Sequence, residues 1–489
     1  MLLLLMRLLF LQEGKDYDLR LLLLLMHLSF LQEGKGGTDP DMDITKDPYD
    51  GKGSINDILQ LGGLVVKDGC PPLVCESHCA GVDAPMFGLG DMGVPLKVMV
   101  RSEIDPAPAL VNLLHHTGDH LVTNVSYGKG CEGPCLKHGG KWCSWKNGPR
   151  RDLLMASFVC TRYSTQRPDR HSDDYDPIQP PGQDAAVDTF FEVRNVIKHT
   201  EPRFFILENV DGVKRTRGKG KGTPLDFMLD DKDHGLRVLN YTVEVSCDCR
   251  GTSVRVPQRR SRTLFFGVHK SEKVSASTVK HTFTTLLQQA GKKAVHHLEA
   301  FLTNRTLGGD EEEEEEDNVP VGSGKSEVDD VQDQIDYNRA LKKAMEDAVR
   351  CGVWATCCKL PPLASRPSRK VLAPPGVRAR IDVMSVILGA PQAGKHPVAD
   401  VSQSIDRLPW RTDGTVPTLT THSMLFSFKL GKFIHPKDLA LSMGIPASLN
   451  MNFLTVNQQR KIVGNGYIVP LAALACAAVC KDTSGGDGS

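Results

Sequence analysis

The sequence lacks an excess of charge of either sign, with 59 lysines and arginines against 59 aspartates and glutamates. On its face that balance argues against a polyanionic partner, because binding to phosphates draws on surplus cations. The balance conceals a segregation. Asp310, the six glutamates Glu311–Glu316 and Asp317 are eight acidic residues in a row, so the rest of the chain sums to +8 and leaves room for a basic face. A membrane-length apolar run is missing from the N-terminal part. Residues 2–15 (LLLLMRLLFLQEGK) recur at 22–35 (LLLLMHLSFLQEGK) with a period of 20 residues and two differences. Neither copy reaches the ~18 apolar residues that span a bilayer, and no membrane partner is expected. A basic n-region and a small-residue cleavage site are also lacking, so a secretory signal is not expected. A disulfide framework is absent too. The fourteen cysteines follow no regular spacing, which fits a reducing compartment better.

What is present is a chain of 489 residues with 40% hydrophobic content, enough for two or three domains and a sizeable core. Residues 1–71 read as a duplicated leucine-rich leader followed by a Gly- and Asp-rich linker, expected to be disordered and set apart from the fold. From 72 to 268, strand-like apolar runs (96–100, 153–156, 204–207, 263–268) are separated by loops and by a helical stretch at 185–199. Strands alternating with helices predict an α/β fold with a parallel sheet. Residues 269–401 break that rhythm with a helical stretch, the acidic run, a second helical stretch at 328–350 and a Pro-rich segment. The acidic run 310–317 cannot bury apolar surface and is expected to be a solvated linker. Order returns over 402–480 and ends in an apolar helix at 470–479, with 481–489 as a disordered tail.

Four segments carry residues suited to chemistry. Residues 75–89 (CESHCAGVDAPMFGL) follow a short apolar strand and offer a small-residue turn around Gly81 and Val82. Such a turn lets backbone approach a cofactor closely, and an acid ending the next strand binds ribose hydroxyls. Glu103 lies 22 residues after Gly81 and suits that role. Residues 152–164 (DLLMASFVCTRYS) deliver Cys160 to the carboxyl edge of a strand, where ligands bind in open α/β sheets. A lone cysteine there is, on the plainer reading, a small buried hydrophobe. Residues 204–210 (FFILENV) place Glu208 at the end of another strand. In residues 256–268 (VPQRRSRTLFFGV), Arg260 and Arg262 alternate onto one face of an extended segment. Taken singly, Glu208 is a solvated strand-end carboxylate and the arginines a basic surface strand.

Taken in order, these segments resemble the cytosine-C5 DNA methyltransferase family. The family's ordered motifs are a glycine-containing loop, Pro-Cys, Glu-Asn-Val, Gln-x-Arg-x-Arg and a late Gly-Asn-Gly. This chain has Gly81, Cys160, Glu208-Asn209-Val210, Gln258-x-Arg260-x-Arg262 and Gly464-Asn465-Gly466. Residues 407–421 (RLPWRTDGTVPTLTT) look like the family's segment that re-enters the catalytic domain after target recognition. The resemblance covers roughly 72–268 and 402–480. It departs from the pattern at Val159, where the family has proline before the nucleophile, at Ser157, at Asn124, and at Asp83 and Ala84 in the loop.

The resemblance implies an S-adenosylmethionine-dependent, Rossmann-like fold with a seven-stranded, mostly parallel sheet and a small target-recognition region within 269–401. It implies S-adenosylmethionine as cofactor, with Gly81 and Val82 at its methionine moiety, Glu103 at the ribose, Asn124 and Val125 at the adenine, and Asn465 closing the pocket. Cytosine carbon 5 is a poor nucleophile, and a thiolate added at carbon 6 turns it into an enamine carbon able to attack a methyl group. Cys160 would be that thiolate, its pKa lowered by neighbouring arginines, Arg260 or Arg162. Glu208 would contact ring N3 and the exocyclic amine, and Arg260 and Arg262 would fix Glu208 or the base carbonyl through charge-assisted hydrogen bonds. The substrate would be double-stranded DNA with its target base flipped out, bound by a monomeric protein in the nucleus or another DNA-containing compartment. A pseudoenzyme that binds cofactor or DNA without turnover, and an RNA methyltransferase of the same fold, are the competing readings.

Residues 214–221 (KRTRGKGK) hold five basic residues in eight positions. Lys214, Arg215 and Arg217, together with Gln258, Arg162 and Ser164, are the expected nucleic-acid contacts. Between 124 and 152 lie Cys131, Cys135, His138 and Cys143, four soft donors within thirteen residues. Their spacing departs from common zinc knuckles, and no metal is expected there.

Overall fold

The computed structural model describes residues 71–164, 178, 182, 185–216, 222–230, 234–302, 327–354, 359–362, 365–371, 373–389 and 397–484. The duplicated leader, Arg217, the acidic run 310–317 and the last residues of the expected tail lie outside them.

The chain enters the central sheet at β1 (Leu73–His78) and continues through α1 (Ala84–Asp91), β2 (Leu96–Ser102), α2 (Pro106–His115) and β3 (His120–Val122). A hairpin, β4 (Glu132–Cys135) and β5 (Lys141–Ser144), precedes β6 (Leu153–Ser157), α3 (Ala185–Thr200) and β7 (Phe204–Val210). Then come α4 (Pro224–Leu229), β8 (Tyr241–Arg250), β9 (Ser261–His269) and α5 (Ala276–Ala290). The nine strands lie in the order β5-β4-β3-β2-β1-β6-β7-β9-β8. Pairings from β3 through β7 are parallel, whereas β7-β9-β8 and β3-β4-β5 are antiparallel. The expected seven strands are therefore widened by the β4–β5 hairpin, which falls in the 124–152 segment for which no strands were expected.

Strand alternation builds the two faces. Leu153, Met155, Phe204, Ile206, Leu264 and Phe266 enter one apolar cluster, and Leu154, Ala156, Phe205, Leu207 and Phe265 enter the other. This is the period of two that puts successive side chains on opposite faces, with both faces covered as in parallel sheets. Gly267 sits opposite Phe205 in the β7–β9 register, and a Cβ there would overlap the Phe205 ring.

The chain closes over one face with α8 (Pro436–Leu441), α9 (Val456–Asn465) and α10 (Val469–Ser484). Thr455 and Gln458 form a capping box that starts α9. Helix α10 packs on α1 and α5. It comes close to α1 at Gly88, where a Cβ would lie 2.8 Å from that of Ala473. Cys476 Sγ lies 3.4 Å from Met155 Sδ, so α10 lies over the β1–β6 part of the sheet, although about 390 residues of sequence separate it from β1. The stretch Val456–Lys481 is long and apolar enough to cross a membrane by composition, yet 89% of its apolar window is buried inside the protein. Helix α10 runs to Ser484, beyond the boundary expected at 480.

A separate core forms from α6 (Glu327–Arg350), α7 (Pro375–Leu388) and a small sheet of β10 (Val398–Asp400), β11 (Trp410–Arg411), β12 (Leu425–Ser427) and β13 (Lys432–Phe433). Within it, buried Asp382 accepts hydrogen bonds from Tyr337 Oη at 2.5 Å and Ser368 Oγ at 2.7 Å. The cores divide the chain elsewhere than at 268 and 401. Helix α5 packs on β8 and β9 and belongs with the large sheet, while the small sheet extends past 401 to Phe433.

Candidate active site

At the carboxyl end of β1 the backbone turns sharply, with Cys79, Gly81 and Asp83 all at positive φ (50°, 55° and 61°). Side chains pin this turn. Asn112 Nδ2 donates to Gly81 O at 2.6 Å, and Ser77 Oγ donates to Asp83 Oδ1 at 2.7 Å. Asp83, fully buried, also pairs with Arg101, so the residue that departs from the family's glycine pattern is held by an internal ion pair. Glu103 follows β2 and closes the turn from the other side. Its carboxylate accepts from Gly81 N at 2.7 Å and Asp105 N at 2.8 Å, and burial raises its pKa. Gly81, Val82 and Glu103 are thus brought together. A Cβ on Gly81 would meet nothing within 4 Å, so glycine serves the positive φ there rather than clearance.

Beside this turn a cleft is lined by Ser77, His78, Cys79, Ala80, Pro85, Ser157, Glu208 and Tyr467, among others. None of the expected cofactor residues lines it: Gly81, Val82 and Glu103 lie in the adjoining turn, and Asn124, Val125 and Asn465 lie apart from it. Asn124 caps the turn 125–130 by accepting from Ser126 N at 2.9 Å, Val125 is buried in the core beneath, and Asn465 is exposed at the end of α9. Tyr467, which sequence reasoning missed, follows directly on Gly464-Asn465-Gly466. Its hydroxyl is buried without a hydrogen-bond partner among the described residues.

The other half of the site is built by β6, β7 and β9. Cys160 lies just beyond β6, on a loop tied to β7 by Asn209 Nδ2 donating to Phe158 O at 2.9 Å. Because β9 runs antiparallel, its beginning lies at the same edge, and Val210 pairs with Arg262. That register sets Arg262 diagonally across from Glu208 on one face, and the two form an ion pair in which both residues are buried. Burial pushes the Cys160 thiol up, the Arg262 guanidinium pulls it down and the Glu208 carboxylate adds to the rise, with the net direction upward. The expectation of a lowered thiol is therefore not met in this form, and the arginine acting on it is Arg262 rather than Arg260 or Arg162. Arg260 is buried and donates through Nη1 to Val463 O of α9 at 3.4 Å. It anchors the C-terminal helices and does not hold Glu208.

The expected nucleic-acid contacts separate. Gln258 is fully buried, donates to Ser442 Oγ at 2.8 Å and forms a β-bridge with Val416, which corrects its reading as a contact to bases or phosphates. Lys214 pairs with Asp248 at 2.7 Å, while Arg215 is exposed next to it. Arg162 and Ser164 are half-buried on the loop after Cys160. Of the four soft donors, Cys131 is placed apart, with its thiol 3.5 Å from Gly128 O and 3.8 Å from Arg151 Nη2. Cys135, His138 and Cys143 instead gather with His120.

A buried guanidinium–carboxylate pair, a nearby thiol and a left-handed turn lie together at the carboxyl edge of one mostly parallel sheet, the edge where open α/β sheets place their ligand sites. The chain belongs to the C-5 cytosine-specific DNA methylase family, whose profile matches residues 144–480. Over 126 residues it is 29% identical to the Type II methyltransferase M.HpaII of Haemophilus parainfluenzae, covering 26% of this chain and 30% of that one. Over 119 residues it is 30% identical to M.DsaV of Dactylococcopsis salina, covering 24% and 29%. The matched segments span about three tenths of the length of these curated relatives. Among solved structures, it resembles a putative DNA modification methyltransferase from an Escherichia coli prophage, with TM-score 0.44 and 15% identity over 84% of this chain and 99% of that one. A second is the Dnmt2 methyltransferase of S. pombe, with TM-score 0.42 and 14% identity over 84% and 99%.

Proposed function

We propose that this chain transfers a methyl group from S-adenosylmethionine to carbon 5 of cytosine in DNA, with Cys160 as the covalent nucleophile. One observation carries the reading. Glu208 lines the same cleft as Ser77 to Ala80 and is also the carboxylate paired with Arg262 beside Cys160. A base held by Glu208 would therefore lie beside the turn that ends β1, the proximity a direct methyl transfer from a donor bound at that turn needs.

The turn and the cleft beside it, whose free volume is about 20 Å³, offer a donor two groups. Tyr467 presents a buried, unpartnered hydroxyl, and Glu103 stands at the tip of β2 with its carboxylate already oriented by two backbone amides. Gly81, Val82, Glu103 and Tyr467 would hold S-adenosylmethionine, which supplies an electrophilic methyl group. The remaining chemistry falls to the chain. Cys160 gives its proton to solvent, with Arg262 favouring the thiolate, and the sulfur bonds to carbon 6 as the C5–C6 double bond opens; once carbon 5 carries the methyl group, loss of its proton to water re-forms the double bond and expels the Cys160 thiolate. Glu208 hydrogen-bonds the pyrimidine edge and Arg262 fixes that carboxylate, so charge arising on the ring meets an oriented group. Asn209 keeps the Cys160 loop against β7, a tether that stands beside Val159 where the family has proline.

Incubation with tritiated S-adenosylmethionine and either duplex DNA or tRNA tests this. Label on DNA cytosine supports the proposal. Label confined to RNA replaces its substrate, and cofactor binding without label on either makes the chain a pseudoenzyme.

A further inference from the structure

The β4–β5 hairpin joins the main sheet through a single residue pair, Val122 with Cys135. Its apolar support is a small cluster of Met99, Val100, Val122, Cys131 and Trp145. Lys137 Nζ also crosses the seam, donating to His116 O at 3.0 Å and Gly118 O at 2.9 Å, and the Tyr127 and Trp142 rings meet edge-on. At this seam lie His120, which begins β3, Cys135, which ends β4, His138 in the turn 136–138, and Cys143 on β5. One ligating atom from each falls within 4.8 Å of all the others. We propose that these four residues bind a structural zinc ion that clamps the hairpin to the sheet.

The donor set fits the metal. Two thiolates and two neutral imidazoles form a closed tetrahedral set with no charge left over, the composition of structural rather than catalytic zinc. Zinc bonds of ~2.3 Å to sulfur and ~2.0–2.1 Å to nitrogen put donors roughly 3.3–3.8 Å apart. Cys143 Sγ and His138 Nδ1 already stand 3.2 Å apart, so closing the others requires about an ångström of side-chain movement. The surroundings prepare the ligands. Leu121 N donates to Cys135 Sγ at 3.4 Å, as backbone amides do to metal-bound thiolates. His120 Nδ1 is buried without a hydrogen-bond partner among the described residues. Gly139 and Gly140, at φ of 66° and 78°, turn the chain back so that Lys141 pairs with Cys135 and Cys143 returns to the seam. On binding, each cysteine thiol releases its proton and the imidazoles enter neutral, so two protons leave per ion bound.

The proposal stands apart from methyl transfer, and its readout is metal. The full chain, purified under reducing conditions without chelator and then given Zn(II), is expected to hold about one zinc per molecule by mass spectrometry. Cobalt(II) in its place is expected to give the intense visible bands of a tetrahedral site with thiolate ligands. Cys135→Ser and Cys143→Ser are expected to lose the bound metal, and Cys131→Ser to keep it, since its thiol lies outside the cluster. Should the first two variants fail to fold, the cobalt spectrum of the unaltered chain decides alone. Zinc far below one per molecule without tetrahedral cobalt bands overturns the proposal. So does a Cys135–Cys143 disulfide in the reduced preparation, or loss of metal on Cys131→Ser with retention on Cys135→Ser.

Discussion

Arg262 of β9 and Glu208 of β7 form a buried ion pair, set diagonally across antiparallel neighbours by the Val210–Arg262 register. Removing one member of such a pair leaves the other charge buried and uncompensated, which costs about 3–5 kcal/mol. Arg262→Ala is therefore expected to lower the urea midpoint substantially and to abolish methyl transfer. Arg262→Lys is expected to recover stability better than activity, because a lysine lacks the planar fork that orients the carboxylate. Denaturation curves and transfer rates on the same preparations check both.

The same arginine controls the thiol. Burial and Glu208 raise the Cys160 pKa while Arg262 opposes them, so the thiolate fraction grows as pH rises through the alkaline side of neutrality. Single-turnover methyl transfer is expected to accelerate with pH on that limb. In Arg262→Gln the limb is expected to move to higher pH, because the charge favouring the thiolate has gone. An unmoved limb would remove Arg262 from this role.

Other thiols bear on stability. Burial pushes Cys79 up to about 12 and Cys249 up to about 11, and raises Cys75 and Cys476 as well. In the unfolded chain these groups lose protons near ~8.5. A pKa raised by folding gives stability that is fully present below the unfolded value and is lost as pH rises toward the folded one. The urea midpoint is thus expected to hold steady up to about pH 8 and to fall above it. Replacing Cys249 with alanine is expected to flatten part of that fall.

Much of this was legible in the sequence because chemistry and periodicity coincide there. The alternation in 153–157 and 204–210 gives both the strands and the edge that carries Cys160 and Glu208. Arg260 and Arg262 looked equivalent on one extended face. What separates them is α9, more than 190 residues later, which offers Val463 O to Arg260 and leaves Arg262 to Glu208. Gln258 was misread for the same reason, since its partners Ser442 and Val416 come from distant segments. His120 gave no local signal at all. It lies fifteen residues before Cys135, and only the β3–β4 pairing brings it to the other donors.

The basic segment gives a prediction that follows from these placements. Lys214 is engaged by Asp248, whereas Arg215 is exposed. Arg215→Ala is expected to reduce the salt slope of DNA binding by about one, the change for a single lost phosphate contact. Lys214→Ala is expected to change it less. Equal effects measured by titration across salt concentrations would contradict this division.

The central claim is that the Cys160 sulfur bonds to carbon 6 of cytosine, and mechanism-based trapping tests it most directly. Duplex DNA carrying 5-fluorocytosine, incubated with the chain and S-adenosylmethionine, should give a covalent complex stable to denaturing electrophoresis, because fluorine cannot leave carbon 5 as a proton does. Peptide mapping should place the adduct on Cys160, and Cys160→Ser should form none while still binding S-adenosylmethionine. A wild-type chain that binds S-adenosylmethionine yet traps neither fluorinated DNA nor fluorinated RNA, or an adduct mapped to another cysteine, would contradict the account.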